Sequence, residues 1–411
     1  MLQYDVVIAG GGMVGASLAC AIAAASNGAI SVLVVEGFPL PEGSTKPSYQ
    51  PSFDARSTAL SAGSRAIIEA MGVWQHLTEH LQNIDKIHVS NKGRLGSTLM
   101  NAAQENLPAL GYVVENQWLG KVLLATVQSH ACIDWRSPAK VSAVDTAGEK
   151  PLATIRQNDV DEKIVCNLLV IADGAYSALA QSIGIQYSEN DYRHSAIIAN
   201  ISTAKPHLGL AYERFTDTGP LAMLPLVAFQ GYNRSALVWT MPCEQAEEVI
   251  NLPDEDFLSR LQERFGYRLG KLQQVGERAS YPLKLIEACE QVRSGVVVMG
   301  NAAHFLHPVA GQGFNLALRD INGLCNLICS AKAAGNDLGS LSLLEQYREN
   351  QAWDQRKTTA FSDKVGEIFM ADQMVFAVLR DFGLSALDVV PSLKSKFVKE
   401  TAGLVGARVK W

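Results

Sequence analysis

Three glycines near the N-terminus have the spacing G-x-G-x-x-G, and they are the first residues whose pattern suggests chemistry. Gly10, Gly12 and Gly15 follow a short apolar run that is typical of a strand and precede one that is typical of a helix. Gly10 permits a tight turn, Gly12 lets the backbone approach a pyrophosphate, and Gly15 lets helix and strand pack closely. The pattern predicts a dinucleotide site, with Met13 and Val14 at the helix N-terminus beside the phosphates.

An acidic residue, Glu36, ends the next apolar run at nearly the spacing of roughly 20 residues that a ribose-binding acid shows in such sites. A carboxylate there accepts hydrogen bonds from the ribose hydroxyls and repels a 2′-phosphate. This first motif leaves open whether the nucleotide is FAD or NAD.

Three later segments carry further chemistry-bearing residues. They are DARSTAL at residues 54–60, IADGAYS at 171–177, and GNAAH at 300–304 followed by HPVAGQGFNLALRD at 307–320. The last begins after residues 296–299, three β-branched valines and a methionine, a run typical of a buried parallel strand. The glycines at 311 and 313 allow close backbone approach just before a predicted helix at 314–334.

Together with the first motif, these segments resemble the flavoprotein aromatic hydroxylases, and most closely the hydroxylases of ubiquinone biosynthesis. The stretches AYERFT at 211–216 and GPLAMLP at 219–225, and the pair Val390-Pro391, are similar to the ubiquinone-pathway branch. The resemblance covers residues 4–320 in the same order. It implies an α/β protein with a Rossmann-type FAD-binding domain, an interleaved β-sheet substrate domain and a C-terminal helical region.

The resemblance also assigns residues to the cofactor. The predicted FAD-binding residues are Gly10, Gly12, Met13, Val14, Gly15, Glu36, Arg56, Asn116, Asp173, Gly174, Gly300, Asn301, Gly311, Gln312, Gly313, Phe314 and Asn315. Most members have aspartate where this chain has Asn301, which keeps an acceptor oxygen but loses the charge. Pro308 corresponds to a proline over the flavin face. His304 and His307 are candidates for acid–base catalysis, or they only shape the flavin loop.

The reaction that the resemblance implies is a monooxygenation. NAD(P)H reduces FAD, O₂ adds to give a C4a-hydroperoxide, and a hydroxyl group passes to a phenol ring. NAD(P)H is expected as a transient reductant, because the sequence has no second G-x-G-x-x-G. The segments at 175–180 and 300–303 look closest to the branch that converts 2-polyprenyl-6-methoxyphenol to the 1,4-benzoquinol, and a sister activity at another ring carbon is the alternative.

The substrate wall is expected within residues 185–284. Its candidates are Phe215, Met223, Leu224 and Pro225, and the alternative is that they are core residues of a sheet. The predicted division assigns the FAD-binding domain to residues 1–82, 112–184 and 285–340, and substrate-side segments to 83–111 and 185–284. A helical region follows at 341–411.

Composition and charge exclude several classes of function. The chain has 411 residues and a formal net charge of −6, which gives no basic excess for nucleic acid. The seven cysteines include no C-x-x-C pair, so reduced buried thiols in a cytoplasmic protein are expected and a metal site is not. No apolar run approaches the roughly 20 residues that span a bilayer.

The predicted helix at residues 384–404 carries lysines beside an apolar face. It either contacts the inner membrane or other ubiquinone-biosynthesis proteins, or it packs on the domain as a cap. Two further alternatives for the whole protein are another flavoenzyme, such as a halogenase or prenyl-lipid reductase, and a non-catalytic nucleotide-binding subunit. The six tryptophans form no W-x-W, a motif that resemblance to a flavin halogenase would require.

Overall fold

A computed structural model describes residues 2–40, 56–93, 96–306 and 311–370, with side chains to 363, and residues 394–395, 397–399, 402–403 and 409. The described chain forms three β-sheets, and helices pack on the two larger ones. The α/β fold class predicted from the sequence is therefore confirmed. The exact domain boundaries stay a prediction, although the chain does alternate between two large sheets.

The first sheet has a parallel centre. Its strands are β1 (Leu2–Ala9), β2 (Val32–Val35), β8 (Ile133–Arg136), β9 (Lys140–Asp145), β10 (Leu152–Gln157), β11 (Val160–Ile171), β18 (Val292–Arg293) and β19 (Val296–Val298). The order is β18-β19-β11-β1-β2-β8, and all neighbours from β19 to β8 are parallel. Both faces of this centre are covered, which explains why β2 and β19 are apolar at every position.

The helices divide between the two large sheets and the C-terminal region. They are α1 (Met13–Ala25), α2 (Ala62–Ala70), α3 (Asn116–Ser129), α4 (Ala178–Ser182), α5 (Cys243–Ile250), α6 (Asp254–Phe265), α7 (Gln312–Ala333) and α8 (Leu341–Met370). Helix α1 is buried over most of its length because α3 and α7 pack against it in the main core. The sequence did not predict α5, whose eight residues are too few for a clear helical period.

The second sheet is mostly antiparallel. It contains β5 (Lys86–Asn91), β6 (Ser97–Asn101), β12 (Tyr187–Thr203), β13 (Leu210–Phe215), β14 (Pro220–Phe229), β15 (Tyr232–Pro242), β16 (Leu272–Val275), β17 (Ala279–Ala288) and β20 (His304–Phe305). The path is β20-β17-β12-β15-β14-β13-β5-β6, and β16 pairs with β12. One face packs on α5 and α6 around the buried side chains of Trp239, Phe257 and Phe265.

A small third sheet joins the two large ones. It consists of β3 (Ser57–Ser61), β4 (Leu81–Ile84) and β7 (Gly111–Glu115), with β7 in the centre. At the end of β7, the Glu115 carboxylate accepts two hydrogen bonds from the Arg234 guanidinium of β15, at 3.0 and 3.2 Å. This largely buried, bidentate pair fixes the second sheet to the third, and its geometry favours strong charge-assisted bonds.

Most of the predicted C-terminal helix at residues 384–404 lies outside the described residues. Where it is described, Val398 is buried with Ile84, Met100 and Leu110, and Gly63 N–H donates to the carbonyl of Ala402 at 2.9 Å. This part therefore packs on the protein. Among the helices that the structure describes, none has the length and apolar character required to cross a membrane.

The two faces of β14 have different environments. Pro220, Ala222 and Leu224 border a large cavity between the sheets, whereas Met223 is fully buried on the opposite face with Leu221 and Trp239. The alternation follows from the two-residue period of a strand. Met223 is thus a core residue on the face away from this cavity, and its place in a substrate wall stays a prediction.

The substitution Met223→Ala should lower the free energy of unfolding by about 2–5 kcal/mol, because it leaves a hole in a closed core. Leu224→Ala removes a side chain of similar size that already borders a cavity, so a clearly smaller loss is expected. Denaturant unfolding of the two variants beside the parent protein measures the difference. Equal losses would contradict the assignment of the two faces.

Candidate functional site

The carboxyl ends of three parallel strands converge on one side of the cavity. Gly10 follows β1, Glu36 follows β2, and Ala172 follows β11, and all three border a space of about 490 Å³. This edge is where open α/β sheets bind nucleotides. The opposite side of the cavity is a face of the second sheet, so the site lies between a nucleotide-type edge and a sheet wall.

The glycine turn is shaped by close backbone packing. Gly10 has a φ of +102°, and a Cβ atom there would lie 2.5 Å from the carbonyl oxygen of Ala172. A Cβ atom at Gly15 would overlap the carbonyl oxygen of Gly10. Gly15 therefore faces the turn and not the cavity, as the motif predicts for the residue that lets helix and strand approach. The side lined by Gly10, Gly12, Met13 and Val14 stays open to a ligand.

Two helix N-termini point at the cavity without a side chain to cap them. Helix α1 begins after Gly12 and α7 after Gly311, and neither residue makes a side-chain capping bond. Neither helix has an acidic residue in its first turn. Their first N–H groups and partial positive charges are thus left for an anionic or carbonyl-bearing ligand. At α7, Gly311, Gly313 and Phe314 border the cavity, and a Cβ atom at Gly313 would meet open space.

Glu36 is held in place by the backbone around it. Its carboxylate accepts hydrogen bonds from the N–H of Gly11 at 2.6 Å and of Phe38 at 2.9 Å, and the residue is only 8% exposed. These bonds orient the acid at the cavity rim beside the glycine turn. The position suits the ribose-binding role predicted for it.

Arg56 and Asn116 border the middle of the cavity. The Arg56 guanidinium lies 4.8 Å from the centre of the Tyr281 ring, and its carbonyl accepts a hydrogen bond from the Asn116 N–H at 2.7 Å. The Asn116 amide oxygen accepts a bond from the Thr58 hydroxyl at 2.6 Å. The structure therefore brings both predicted residues to the cavity, at the junction between its nucleotide side and its sheet wall.

Asp173, Gly174 and Asn301 complete the nucleotide side. All three border the cavity, and burial raises the pKa of Asp173, although a hydrogen bond with Ser177 opposes that shift. Gly300 adopts a φ of +60°, and a Cβ atom there would lie 2.8 Å from Val14. Gly300 thus allows the turn that carries Asn301 to pack on α1, and it does not itself line the cavity.

Asn315 ties the start of α7 to the third sheet. Its amide oxygen accepts bonds from the Ser61 N–H and the Ser64 hydroxyl at 2.8 and 2.7 Å, and its amide nitrogen donates to the carbonyls of Ala59 and Gly311 at 2.8 and 2.7 Å. The side chain is buried and fully used by the protein. Neither Asn315 nor Gln312 lines the cavity, and the predicted contact of Asn315 with the flavin ring stays a prediction.

The histidines and proline predicted beside the flavin are not part of the described wall. His304 lies behind it, where its ring contacts the Gln291 side chain and its Nδ1 is 3.7 Å from a Glu287 oxygen. The wall position belongs to the next residue, Phe305. His307 and Pro308 lie outside the described residues, as do Asp54 and Ala55 of the second motif.

The sheet wall is almost entirely apolar. Its apolar side chains are those of Ile87, Ile198, Ala211, Ala222, Leu224, Ala236 and Val238, and Ile84 of the third sheet borders the cavity beside them. Of the predicted substrate residues, only Leu224 belongs to the wall. Phe215, at the end of β13, is buried and does not border the cavity. Pro225 follows Leu224 on β14 and therefore lies on the opposite face of the strand.

Glu213 is a wall residue that sequence reasoning did not single out. It borders the cavity on β13, and burial raises the pKa of its carboxyl to about 7. The sequence could have indicated Glu213 only by its spacing. It follows the apolar Ala211 by two positions, so in a strand the two side chains share one face. Without the strand's register and neighbours, that face cannot be distinguished from the solvent side.

The residues present fit FAD. A dinucleotide requires N–H groups for its pyrophosphate, an acid for its ribose, and a wide space for its ring system. The uncapped start of α1 provides the N–H groups for the pyrophosphate, and Glu36 provides the acid for the ribose. The space between the start of α7 and the sheet wall is wide enough for the ring system.

Comparison with known proteins agrees with this geometry. A family model described as "FAD binding domain" matches residues 3–362. The chain is 32% identical to the ubiquinone hydroxylase UbiL of Rhodospirillum rubrum over 400 residues, which is 97% of this chain and 89% of that one. It is 27% identical to the 3-demethoxyubiquinol 3-hydroxylase of Escherichia coli over 400 residues, covering 97% and 98%. The p-nitrophenol 4-monooxygenase PnpA of Pseudomonas putida superposes with a TM-score of 0.78 at 16% identity, covering 100% of both chains.

The substitution Glu36→Ala should weaken FAD binding by about tenfold to a hundredfold, the equivalent of one charge-assisted hydrogen bond of about 1.5–3 kcal/mol. Glu36→Gln keeps an acceptor oxygen and should lose less. Titration of the apoprotein with FAD, followed by flavin fluorescence, measures both dissociation constants. Unchanged affinity in Glu36→Ala would show that the acid does not contact the nucleotide.

Proposed function

Because the chain belongs to the FAD binding domain family and is an FAD-dependent monooxygenase of the ubiquinone-biosynthesis type, we propose that it hydroxylates a polyprenylated phenol. The proposed substrate is 2-polyprenyl-6-methoxyphenol and the proposed product is the 1,4-benzoquinol. This choice of substrate rests on the segments at 175–180 and 300–303. The name of the R. rubrum relative supports the pathway.

The observation that carries the proposal is the pairing of two unlike walls around one cavity. The nucleotide side presents glycine turns, two uncapped helix starts and an acid, whereas the sheet side presents apolar side chains. A substituted phenol has a flat apolar ring that suits the second wall. FAD supplies the activation of O₂ when it is bound between the two.

The protein's own residues have distinct tasks in this scheme. The N–H groups at the start of α1 would hold the pyrophosphate, and those at the start of α7 would donate to the flavin carbonyls. The apolar wall holds the phenol ring and excludes water, which protects reactive species from side reactions. NAD(P)H is proposed as the reductant that visits the site.

The polyprenyl tail sets a further requirement. A long isoprenoid chain resides in lipid, so the proposal includes peripheral contact with a membrane or transfer from another protein of the same pathway. The alternative substrate is a phenol hydroxylated at another ring carbon. The E. coli relative, named as a 3-hydroxylase of 3-demethoxyubiquinol, supports that alternative.

The purified holoprotein, given NAD(P)H and a short-chain 2-prenyl-6-methoxyphenol under ¹⁸O₂, should oxidise NAD(P)H faster with the phenol than without it. The product should carry one ¹⁸O atom on the carbon opposite the hydroxyl, because a phenol directs electrophiles to that position when both neighbouring carbons are substituted. Mass spectrometry and NMR of the product measure this.

Three other outcomes each have a definite meaning. If the product carries the new oxygen on another ring carbon, the protein has the sister activity, and the proposed position of hydroxylation is wrong. NAD(P)H oxidation by a bound flavin without oxygen insertion would favour a reductase. If the protein binds no FAD even after reconstitution, the proposal fails, and a non-catalytic nucleotide-binding subunit becomes the favoured interpretation.

The wall assignment gives a matched pair of variants. Leu224→Phe narrows the cavity and should raise KM for the phenol by about tenfold, since a misfit of one or two methylene-sized groups costs about 1–3 kcal/mol. Met223→Leu changes the neighbouring residue on the opposite face and should leave KM unchanged. Steady-state kinetics at saturating NAD(P)H compare the two, and similar KM values would contradict the assignment.

A further inference from the structure

Glu213 has an unusual position among the carboxylates of this protein. It lies on β13, in the wall of the cavity, and its register neighbours are Val89 on β5 and Ala222 on β14. Both neighbours are apolar. The residue therefore points a carboxyl group from an apolar sheet face into the space where the proposed function puts the phenol.

Several other carboxylates with little exposure have partners, whereas the half-buried Glu213 has none among the described residues. Glu115 accepts from Arg234, Asp5 pairs with Lys332 at 2.8 Å, and Asp320 accepts from Gln355 at 3.0 Å. Within the described part of the chain, the Glu213 carboxyl has no hydrogen bond and no ion pair. A buried polar group without a partner costs stability, and such groups concentrate at functional sites.

The charges around Glu213 are few. On its own face, β5 contributes Ile87 and Val89, and β14 has no titratable residue at all. His88 and Arg214 lie on the opposite face of the sheet. The other charged or titratable side chains that border the same cavity are Arg56 and Tyr281, which contact each other, and Glu36 and Asp173 on the nucleotide side.

Burial is the one cause of the raised pKa of Glu213, which reaches about 7. The sign follows directly: the carboxylate is the main form above pH 7, and the neutral acid is the main form below it. A base whose pKa lies near the operating pH is well suited to proton transfer.

We propose that Glu213 is the catalytic base that takes the proton from the phenol hydroxyl of the substrate. The phenol O–H bond breaks, a new O–H bond forms on the carboxylate, and the negative charge moves to the phenol oxygen. Delocalisation of that charge makes the ring carbon opposite the oxygen more nucleophilic. After the hydroxyl group has been added, the substituted ring carbon loses its hydrogen as a proton to water. The Glu213 acid returns its proton to the ring oxygen, which restores the aromatic ring and the carboxylate.

A second polar group in the wall supports this placement of the phenol. The Thr240 hydroxyl is buried beside the same cavity and has no hydrogen-bond partner among the described residues. The wall thus holds two unpartnered oxygen groups in an otherwise apolar surface. Such an arrangement suits a ligand that has an apolar ring and a single hydroxyl group.

The inference rests on the proposed function, so its test separates binding from turnover. Oxidised holoprotein without NAD(P)H is titrated with 2-methoxy-6-prenylphenol and with the methyl ether of the same compound, from pH 5.5 to 9. Flavin absorbance reports both dissociation constants. The ratio of the two constants isolates the contribution of the phenol O–H group from that of the rest of the molecule.

In the parent protein, the preference for the phenol over its methyl ether should fall about tenfold between pH 8 and pH 6, because the ionised fraction of a group with a pKa of about 7 falls by that factor. In Glu213→Gln the preference should be independent of pH, and turnover should fall at least a hundredfold at pH 8. The matched control is Glu189→Gln, which removes a surface carboxylate of the same sheet, paired with Lys284, and should behave as the parent does.

Each outcome bears on one claim alone. A pH-independent preference in the parent protein, or the same pH dependence in Glu213→Gln, overturns the role of Glu213 even if the protein hydroxylates phenols. Failure of the parent protein to hydroxylate any phenol overturns the proposed function instead. Thermal unfolding at pH 8 verifies that Glu213→Gln is folded, and Glu213→Asp provides a second variant that keeps the carboxylate on a shorter side chain.

Discussion

The close contact between Gly15 and the Gly10 carbonyl determines where everything else in the site lies. Because no Cβ atom fits between the turn and α1, the helix starts directly at the end of β1. Its unpaired N–H groups then open into the space that follows the parallel strands. Glu36 after β2 and the turn at Ala172–Gly174 after β11 border the same space, because neighbouring parallel strands end at one edge of the sheet.

A second set of contacts fixes the sheet wall opposite this edge. Asn315 joins α7 to the third sheet through hydrogen bonds with Ser61 and Ala59 of β3, and the Glu115–Arg234 pair joins that sheet to the second one. Both links are buried, so their geometry is maintained with little competition from water. These links therefore fix the distance between the nucleotide side of the cavity and the sheet wall, and they hold the start of α7 at the cavity.

The parts of the site that the sequence predicted are those whose geometry is local. Gly10, Gly12 and Glu36 belong to a strand–turn–helix unit in which each residue's task follows from its place in the turn. The apolar run at 296–298 likewise predicted a buried parallel strand, which β19 confirms. The described cavity includes most of the residues that were assigned to FAD from the motifs.

The features that the sequence did not place at the cavity depend on long-range pairing. Whether Met223 or Leu224 faces the cavity is decided by the register of β14 with β13 and β15, and a shift of one residue reverses the answer. Asn315 lies in the right motif, but its bonds to Ser61 and Ser64 join residues far apart in the chain. Glu213 was part of a stretch noted only for its resemblance, because its neighbours come from other strands.

The central claim is that one cavity holds the flavin ring of FAD and a phenol between the α7 start and the sheet wall. An experimental structure of the holoprotein with a 2-alkyl-6-methoxyphenol tests it most directly. The account predicts the pyrophosphate at the start of α1, the flavin ring at Gly311–Phe314, and the phenol oxygen within hydrogen-bond distance of Glu213. A phenol bound outside this wall, or a flavin ring turned away from it, would contradict the account.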